Sequence, residues 1–265
     1  MNRKLIAVDV DGTLINDQLV LSKKSTDILL RVQEKGHIIV LASGRPWRSM
    51  KPFYEQLHLT SPIIAYNGAH VFDPKEASFQ ELRKRFKADD VKDIYLKMGP
   101  AATSFMCESE HMVYLKRNDS YLNHYFPYEK ETSKVGDIIE NLDEDTYTMI
   151  FRSSHQNVPC LKAIVEEHDG ILFRPWSHSF YSEAYIKGVN KGSALIYVMK
   201  TLGISKEDVI AFGDSDNDDE MLSLAGLPFA LKDCKSPMLL QKYRKTKATN
   251  NQDGVALTLA DLLLN

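Results

Sequence analysis

The chain has 265 residues, 43% of them hydrophobic and 26% charged, with a formal net charge of −3. That is the composition of an ordinary globular protein, long enough for one large α/β domain or for a core with a second module. It carries no basic footprint for nucleic acid, so an anionic ligand must be held by local groups rather than by a global field. No run approaches the ~20 apolar residues that span a bilayer. No secretory signal is read, so no membrane partner is expected and the expected location is cytoplasmic. The cysteines, Cys107, Cys160 and Cys234, are odd in number, widely spaced and without a Cys-x-x-Cys pair, which predicts free thiols rather than a disulfide framework.

Residues 4–8 (Lys-Leu-Ile-Ala-Val) predict a buried strand that runs into Asp9-Val10-Asp11-Gly12-Thr13-Leu14. Two acids this close repel each other unless a proton or a cation relieves them, and a hard ion such as Mg2+ suits oxygen ligands at neutral pH. Gly12 permits a sharp turn and Thr13 can hydrogen-bond within it. Taken alone, the stretch is equally a strand followed by an Asp-Gly turn. Ser22 is a fair N-cap for a helix to Lys35, and His37 to Ala42 is a second buried strand ending at Ser43-Gly44-Arg45. Pro46 opens a helix to about Leu57; Pro62 to Tyr66 is a third strand, turned by Asn67-Gly68. Strand, helix, strand, helix, strand is the pattern of a parallel sheet with crossover helices.

From about Leu82 the texture changes, beginning with the basic run Arg83-Lys84-Arg85, read as a solvated linker. A helix near Ala88 to Met98 precedes strand-like pieces at Thr103 to Cys107 and Met112 to Leu115. Tyr121, His124, Tyr125, Phe126 and Tyr128 mark an aromatic stretch, read as module core or as pocket lining. Tyr147 to Arg152, Ile171 to Arg174 and Tyr181 to Ile186 read as strands, and Pro159 to His168 as a helix. Strands outnumber crossovers here, which predicts an inserted α+β module. His111, His124, His155 and His178 show no metal-ligand spacing and are expected to be surface groups.

The βα rhythm returns after Lys187-Gly188. Ser193 to Leu202 reads as a helix closed by Gly203, with Lys191 at its opening, and Asp208 to Phe212 is a strand ending in Gly213-Asp214-Ser215-Asp216-Asn217-Asp218. Leu227 to Leu231 is a further strand, placed by Pro228 at an edge or a strand start. Helices at Pro237 to Tyr243 and Val255 to Leu264 complete the chain.

In a parallel sheet the ends of these strands share one edge, where ligands bind. Carboxylates gathered there hold a hard cation, while a hydroxyl, a backbone N–H near a helix start and a lysine hold an anion. Carboxylates, metal and anion clamp together fit phosphoryl transfer. Asp9-Val10-Asp11-Gly12-Thr13-Leu14, Ser43-Gly44-Arg45, Lys191 and Gly213-Asp214-x-x-Asn217-Asp218 resemble, in order and spacing, the motifs of the haloacid dehalogenase superfamily of phosphatases. The insertion between the second and third motifs, with Asn67-Gly68-Ala69 and Asp253-Gly254-Val255, resembles its Cof-type (subfamily IIB) sugar-phosphatase branch, over essentially the whole chain.

That resemblance implies an α/β fold: a Rossmann-like parallel-sheet core over 1–82 and 188–265 with an inserted α+β cap over 83–187. It implies a Mg2+-dependent phosphatase acting on a small phosphorylated metabolite, a sugar phosphate for example, through an aspartyl-phosphate. Asp9 would be the nucleophile and a Mg2+ ligand. Asp11 would protonate the leaving alcohol, then activate water, and give the metal its backbone carbonyl. Asp214 would be the third protein ligand, and Asp218 would steady the metal shell from behind it. The Val10 and Gly44 amides, Ser43, Lys191 and Asn217 would hold the phosphoryl oxygens, with Arg45 facing the leaving group as a substrate candidate. A phosphomutase with the same intermediate, and a non-enzymatic receiver-like phosphoprotein, remain alternatives. Substrate identity, the cap residues that select it and oligomeric state are not written in the motifs.

Overall fold

The apolar run at the N-terminus folds as strand β1 (Leu5–Asp9), buried along its whole length. In the computed structural model, residues 3–176 and 179–264 are described; His178 lies outside them. After β1 come α1 (Lys23–Glu34), β2 (Ile38–Ala42), α2 (Trp47–Gln56), β3 (Ile63–Ala65), β4 (His70–Phe72) and β5 (Leu82–Arg83). Ser22 caps α1 by accepting from the Ser25 N–H, which satisfies one of the amides that a helix start leaves unpaired.

A second group of elements follows: α3 (Ala88–Met98), β6 (Ser104–Glu108), β7 (Val113–Leu115), α4 (Ser120–Tyr125), β8 (Ser133–Val135), α5 (Ile138–Asn141), β9 (Thr148–Arg152), α6 (Val158–Glu166), β10 (Ile171–Pro175) and β11 (Tyr181–Ile186). The first group resumes with α7 (Lys191–Leu202), β12 (Val209–Gly213), α8 (Asp219–Leu224), β13 (Leu227–Ala230), α9 (Pro237–Lys242), β14 (Arg244–Lys245) and α10 (Gly254–Leu263). The chain thus divides into two units, one running up to Leu82 and again from Asn190, the other Arg83–Val189.

In the first unit the strands lie in the order β14-β13-β12-β1-β2-β3-β4-β5. Strands from β14 to β3 are parallel, with Leu5 opposite both Val209 and Ile38, and β4 folds back antiparallel on β3. The chain moves outward from β1 through β2 and β3, then returns to the other side of β1 as β12. This reversal makes a topological switch point, and ligands of open α/β sheets bind in the crevice beyond the carboxyl ends of such strands. Pro228 lacks an N–H to donate, yet stands inside β13. It is tolerated because β14 pairs only with Phe229 and Ala230, leaving the Pro228 side of the strand as an edge.

The second unit has a sheet ordered β10-β11-β9-β6-β7-β8, antiparallel except for the β7–β8 pair. Its strands alternate cleanly. Phe105, Cys107, Met149 and Phe151 pack with Val91, Ile94 and Leu161 of the helices, while Met106, Ile150 and Tyr181 form a smaller cluster with Leu122 and Phe126. The aromatic stretch is therefore divided: Leu122 and Phe126 are core, and Tyr121 is 41% exposed with its ring stacked 4.7 Å from that of Tyr181. Arg83 pairs with Glu110. Among the described residues no helix is long and apolar enough to cross a membrane.

Candidate active site

β1 delivers Asp9 to the carboxyl edge of the sheet, where it is 4% exposed. The next residues, Val10–Leu14, make a wide turn closed by the Ile15 N–H to the Val10 carbonyl at 3.1 Å. The turn presses against the end of β12. Gly12 has φ +72°, which disfavours a side chain, and a Cβ there would lie 2.6 Å from Asp214 Oδ2 and push that carboxylate aside. Thr13 Oγ1 donates to Asp214 Oδ1 at 3.2 Å. The residues after β1 thus hold an acid that stands two hundred positions further along the chain.

Lys191 comes from the first turn of α7, whose start is fixed by a capping box between Asn190 and Ser193. It is 1% exposed, and its Nζ donates to Asp9 Oδ1 at 2.5 Å and to Asp218 Oδ1 at 2.7 Å. Asp218 Oδ2 accepts from the Asp214 and Ser215 N–H groups at 3.0 and 3.1 Å. Both Asp218 oxygens are therefore already engaged, and this side chain braces the loop after β12.

Carboxylate oxygens of Asp9, Asp214 and Asp218 lie within 4.8 Å of one another. Burial raises the Asp9 carboxyl well above the usual carboxylate range; Lys191 opposes this, while Asp218, Asp214 and Asp11 add to it. Burial and then the Asp218 charge push Asp214 up to about 7, against Lys191 and the Thr13 hydrogen bond. For Lys191, burial disfavours the charge, but Asp218 and Asp9 outweigh it and raise the ammonium above the ordinary lysine range. One ammonium does not balance this many buried acids. The surplus negative charge on oxygen donors suits a hard divalent cation. The hydrogen bonds above engage both oxygens of Asp218 but only Oδ1 of Asp9 and Oδ1 of Asp214.

Ser43 and Gly44 follow β2. Ser43 is 1% exposed; its N–H donates to the Ile64 carbonyl at 2.9 Å and its Oγ accepts from the Arg45 N–H at 3.1 Å. That leaves the hydroxyl proton free to donate elsewhere. Arg45 is 5% exposed and engages Asp11 as a two-pronged ion pair, so the guanidinium is committed to an acid of the neighbouring loop. Asn217 donates from Nδ2 to Asn67 Oδ1 at 3.0 Å.

Direct side-chain contacts thus join Asp9, Lys191, Asp218, Asp214 and Thr13 in one group, Asp11 with Arg45 in a second, and Asn217 with Asn67 in a third. Sequence reasoning gave Asn67 a turn and a part in the branch resemblance, but no role at the site. The available signal was its place at the end of β3, beside the end of β2. It also missed Cys234, whose Sγ donates to the Asp214 carbonyl at 2.8 Å, and Ser236, whose hydroxyl donates to Asp216. Nothing in the sequence pattern marked these two.

A family model described as haloacid dehalogenase-like hydrolase matches residues 6–259. The chain is 32% identical over 261 residues to 5-amino-6-(5-phospho-D-ribitylamino)uracil phosphatase YitU of Bacillus subtilis (strain 168), covering 97% of this chain and 96% of that protein. It is 27% identical over 240 residues to pyridoxal phosphate phosphatase YbhA of Escherichia coli (strain K12), covering 87% and 88%. In fold it resembles the haloacid dehalogenase subclass IIB sugar phosphatase BT4131, with a TM-score of 0.80, 18% identity and 98% of each chain covered.

Proposed function

The chain belongs to the haloacid dehalogenase-like hydrolase family, in its Cof-type branch, and on that premise we propose that it is a Mg2+-dependent phosphatase working through an aspartyl-phosphate on Asp9. Its substrates are phosphate monoesters of small metabolites. The observation that carries this reading is Asp9 itself: a buried strand-end carboxylate with one oxygen on Lys191, and with a second acid, Asp11, two residues away.

Asp9 attacks the phosphorus with a carboxylate oxygen while the bond to the leaving alcohol breaks, and Asp11 gives that alcohol its proton. Asp11 then takes a proton from water, the water oxygen bonds to phosphorus, and Asp9 is released with inorganic phosphate. Lys191, the Ser43 hydroxyl, the Val10 and Gly44 amides and Asn217 hold the phosphoryl oxygens, so that charge developing on them meets fixed donors. Asp9, Asp214 and the Asp11 backbone carbonyl would hold Mg2+, with Asp218 bracing the Asp214 loop. When bound, Mg2+ supplies charge neutralisation both to the crowded acids and to the phosphoryl group.

Relatives named for a phosphoribityl pyrimidine and for pyridoxal phosphate support small phosphorylated molecules as the substrate class. The test is a phosphate-release screen over a panel of such esters with Mg2+, run beside EDTA-treated enzyme and Asp9→Asn. Release by wild type alone is the expected result; robust turnover by Asp9→Asn sinks the mechanism. Isomerised sugar phosphate without free phosphate identifies a mutase, and a long-lived phosphoprotein without turnover a receiver-like module.

A further inference from the structure

The turn after β3 is held in a costly backbone conformation. Tyr66 and Asn67 both have left-handed φ, +49° and +54°, and Gly68 follows at +98°. Side-chain-bearing residues adopt this region only when their surroundings impose it, and such outliers cluster at functional sites. Here the surroundings are three loops that carry site residues. The Asn67 N–H donates to the Ser43 carbonyl at 2.9 Å and the Tyr66 N–H to the Arg45 carbonyl at 3.2 Å, so the turn grips both ends of Ser43-Gly44-Arg45. The Asn67 amide lies over Gly44: a Cβ there would meet Asn67 Nδ2 at 3.1 Å. Asn67 Oδ1 accepts from Asn217. Gly68 abuts the Asn190 carbonyl, where a Cβ would come within 2.3 Å, and Asn190 caps the helix that begins with Lys191.

We propose that Asn67 is a positioning residue for the phosphoryl pocket. Its backbone N–H sets the Ser43-Gly44 loop. Its side-chain oxygen takes one of the two Asn217 N–H groups, which fixes the plane of that amide and leaves the other N–H for a phosphoryl oxygen. The assignment rests on the phosphatase reading above for what the pocket holds, but not for the tie itself.

Asn67→Gly is the informative variant, because glycine keeps the left-handed backbone and the main-chain N–H while deleting the amide. The expected result is a fall of about 10- to 100-fold in kcat/KM for p-nitrophenyl phosphate. The inhibition constant for inorganic phosphate rises in parallel, while the melting temperature and the Mg2+ concentration for half activity stay as in wild type. Asn67→Asp, which keeps the acceptor for Asn217, restores part of the loss. In an Asn217→Ala background Asn67→Gly has little further effect, since both act through one hydrogen bond. Asn67→Gly within twofold of wild type, or full multiplicative effects in the double variant, overturns the proposal. Amide hydrogen exchange at 43–45 and 214–218 reads the tie without turnover. Faster exchange there in Asn67→Gly is expected, and unchanged exchange overturns the positioning role even if activity falls. A wild-type protein that releases no phosphate, yet exchanges faster as Asn67→Gly, overturns the phosphatase reading and leaves the positioning role standing.

Discussion

The Arg45 guanidinium straddles the Asp11 carboxylate, with Nε 2.7 Å from Oδ2 and Nη2 2.5 Å from Oδ1. The arginine is buried and the acid is partly open to solvent, so the pair is anchored on one side and approachable on the other. A fork of this kind fixes the plane of the carboxylate as well as its charge, which a lysine cannot do.

If Asp11 supplies the leaving-group proton, Arg45→Ala damages substrates in proportion to their need for that proton. Its kcat/KM, which reports formation of the phosphoenzyme, falls more for an alkyl phosphate than for p-nitrophenyl phosphate, whose leaving group departs readily as an anion. A difference of about tenfold or more between the two substrates is expected, with Arg45→Lys only partly restored. Equal losses on both would mean that Arg45 acts through substrate binding instead.

If Asp9 and Asp214 hold the metal, metal and protons compete for them. Without metal, Asp214 is pushed up to about 7 from an ordinary carboxylate value of 3.8, and Asp9 is also raised. An acid raised in the folded state stabilises the fold fully below its unfolded value, and that contribution is lost as pH rises through the folded value. Metal-free protein therefore loses stability between about pH 4 and 7, and the gain on adding Mg2+ grows across the same window. At a Mg2+ concentration of about a hundred times Kd and neutral pH the gain is about 2.7 kcal/mol. Melting temperatures with Mg2+ and with EDTA from about pH 5 to 8 check this, as does proton release on Mg2+ binding at mildly acid pH. A Mg2+ effect that is flat in pH would remove these acids from the metal site.

The thiols are distinguishable by reaction rate. Cys160 is exposed, whereas Cys107 and Cys234 are buried. Burial pushes the Cys234 thiol up to about 11 and Cys107 higher still. Since the thiolate is the nucleophile, a disulfide reagent titrates one thiol quickly and the others slowly. Cys160→Ser abolishes the fast phase. Blocking Cys160 leaves turnover intact; slow reaction at Cys234 reduces it, because its sulfur contacts the Asp214 carbonyl.

Gly68→Ala sets a methyl group against the Asn190 carbonyl in a backbone region that disfavours side chains. A loss of about 3 kcal/mol in urea denaturation is expected, with turnover falling alongside because the start of α7 carries Lys191. A neutral effect would mean that the turn and the helix start yield to each other at little cost.

What the sequence made legible follows from what a sequence encodes directly. Short β-branched runs ending in Asp9 and in Gly213-Asp214 announce strands and the groups at their tips, because periodicity and burial are local properties. β1 extends one residue further than the apolar run, since Asp9 still pairs opposite Ala42. β4 is too short to give a period, and at α4 the buried Leu122 and the Phe126 that follows the helix are masked by the tyrosines around them. The ties between loops were not legible. Arg45 to Asp11, Asn217 to Asn67 and Cys234 to Asp214 depend on side-chain direction at strand ends, which no period records.

Strand β1 sits between β2 and β12, yet the chain supplies β2 within some forty residues and β12 only after the whole of 83–189 has been made. At a synthesis rate of about 5–20 residues per second, one edge of β1 stays without its neighbour for about 10–40 s, and Asp9 waits nearly as long for Lys191. The inserted unit has its own core and can close during that interval. The nascent chain is therefore expected to carry a folded insertion on an unfinished sheet, with β1 as the edge most in need of protection from pairing with other chains.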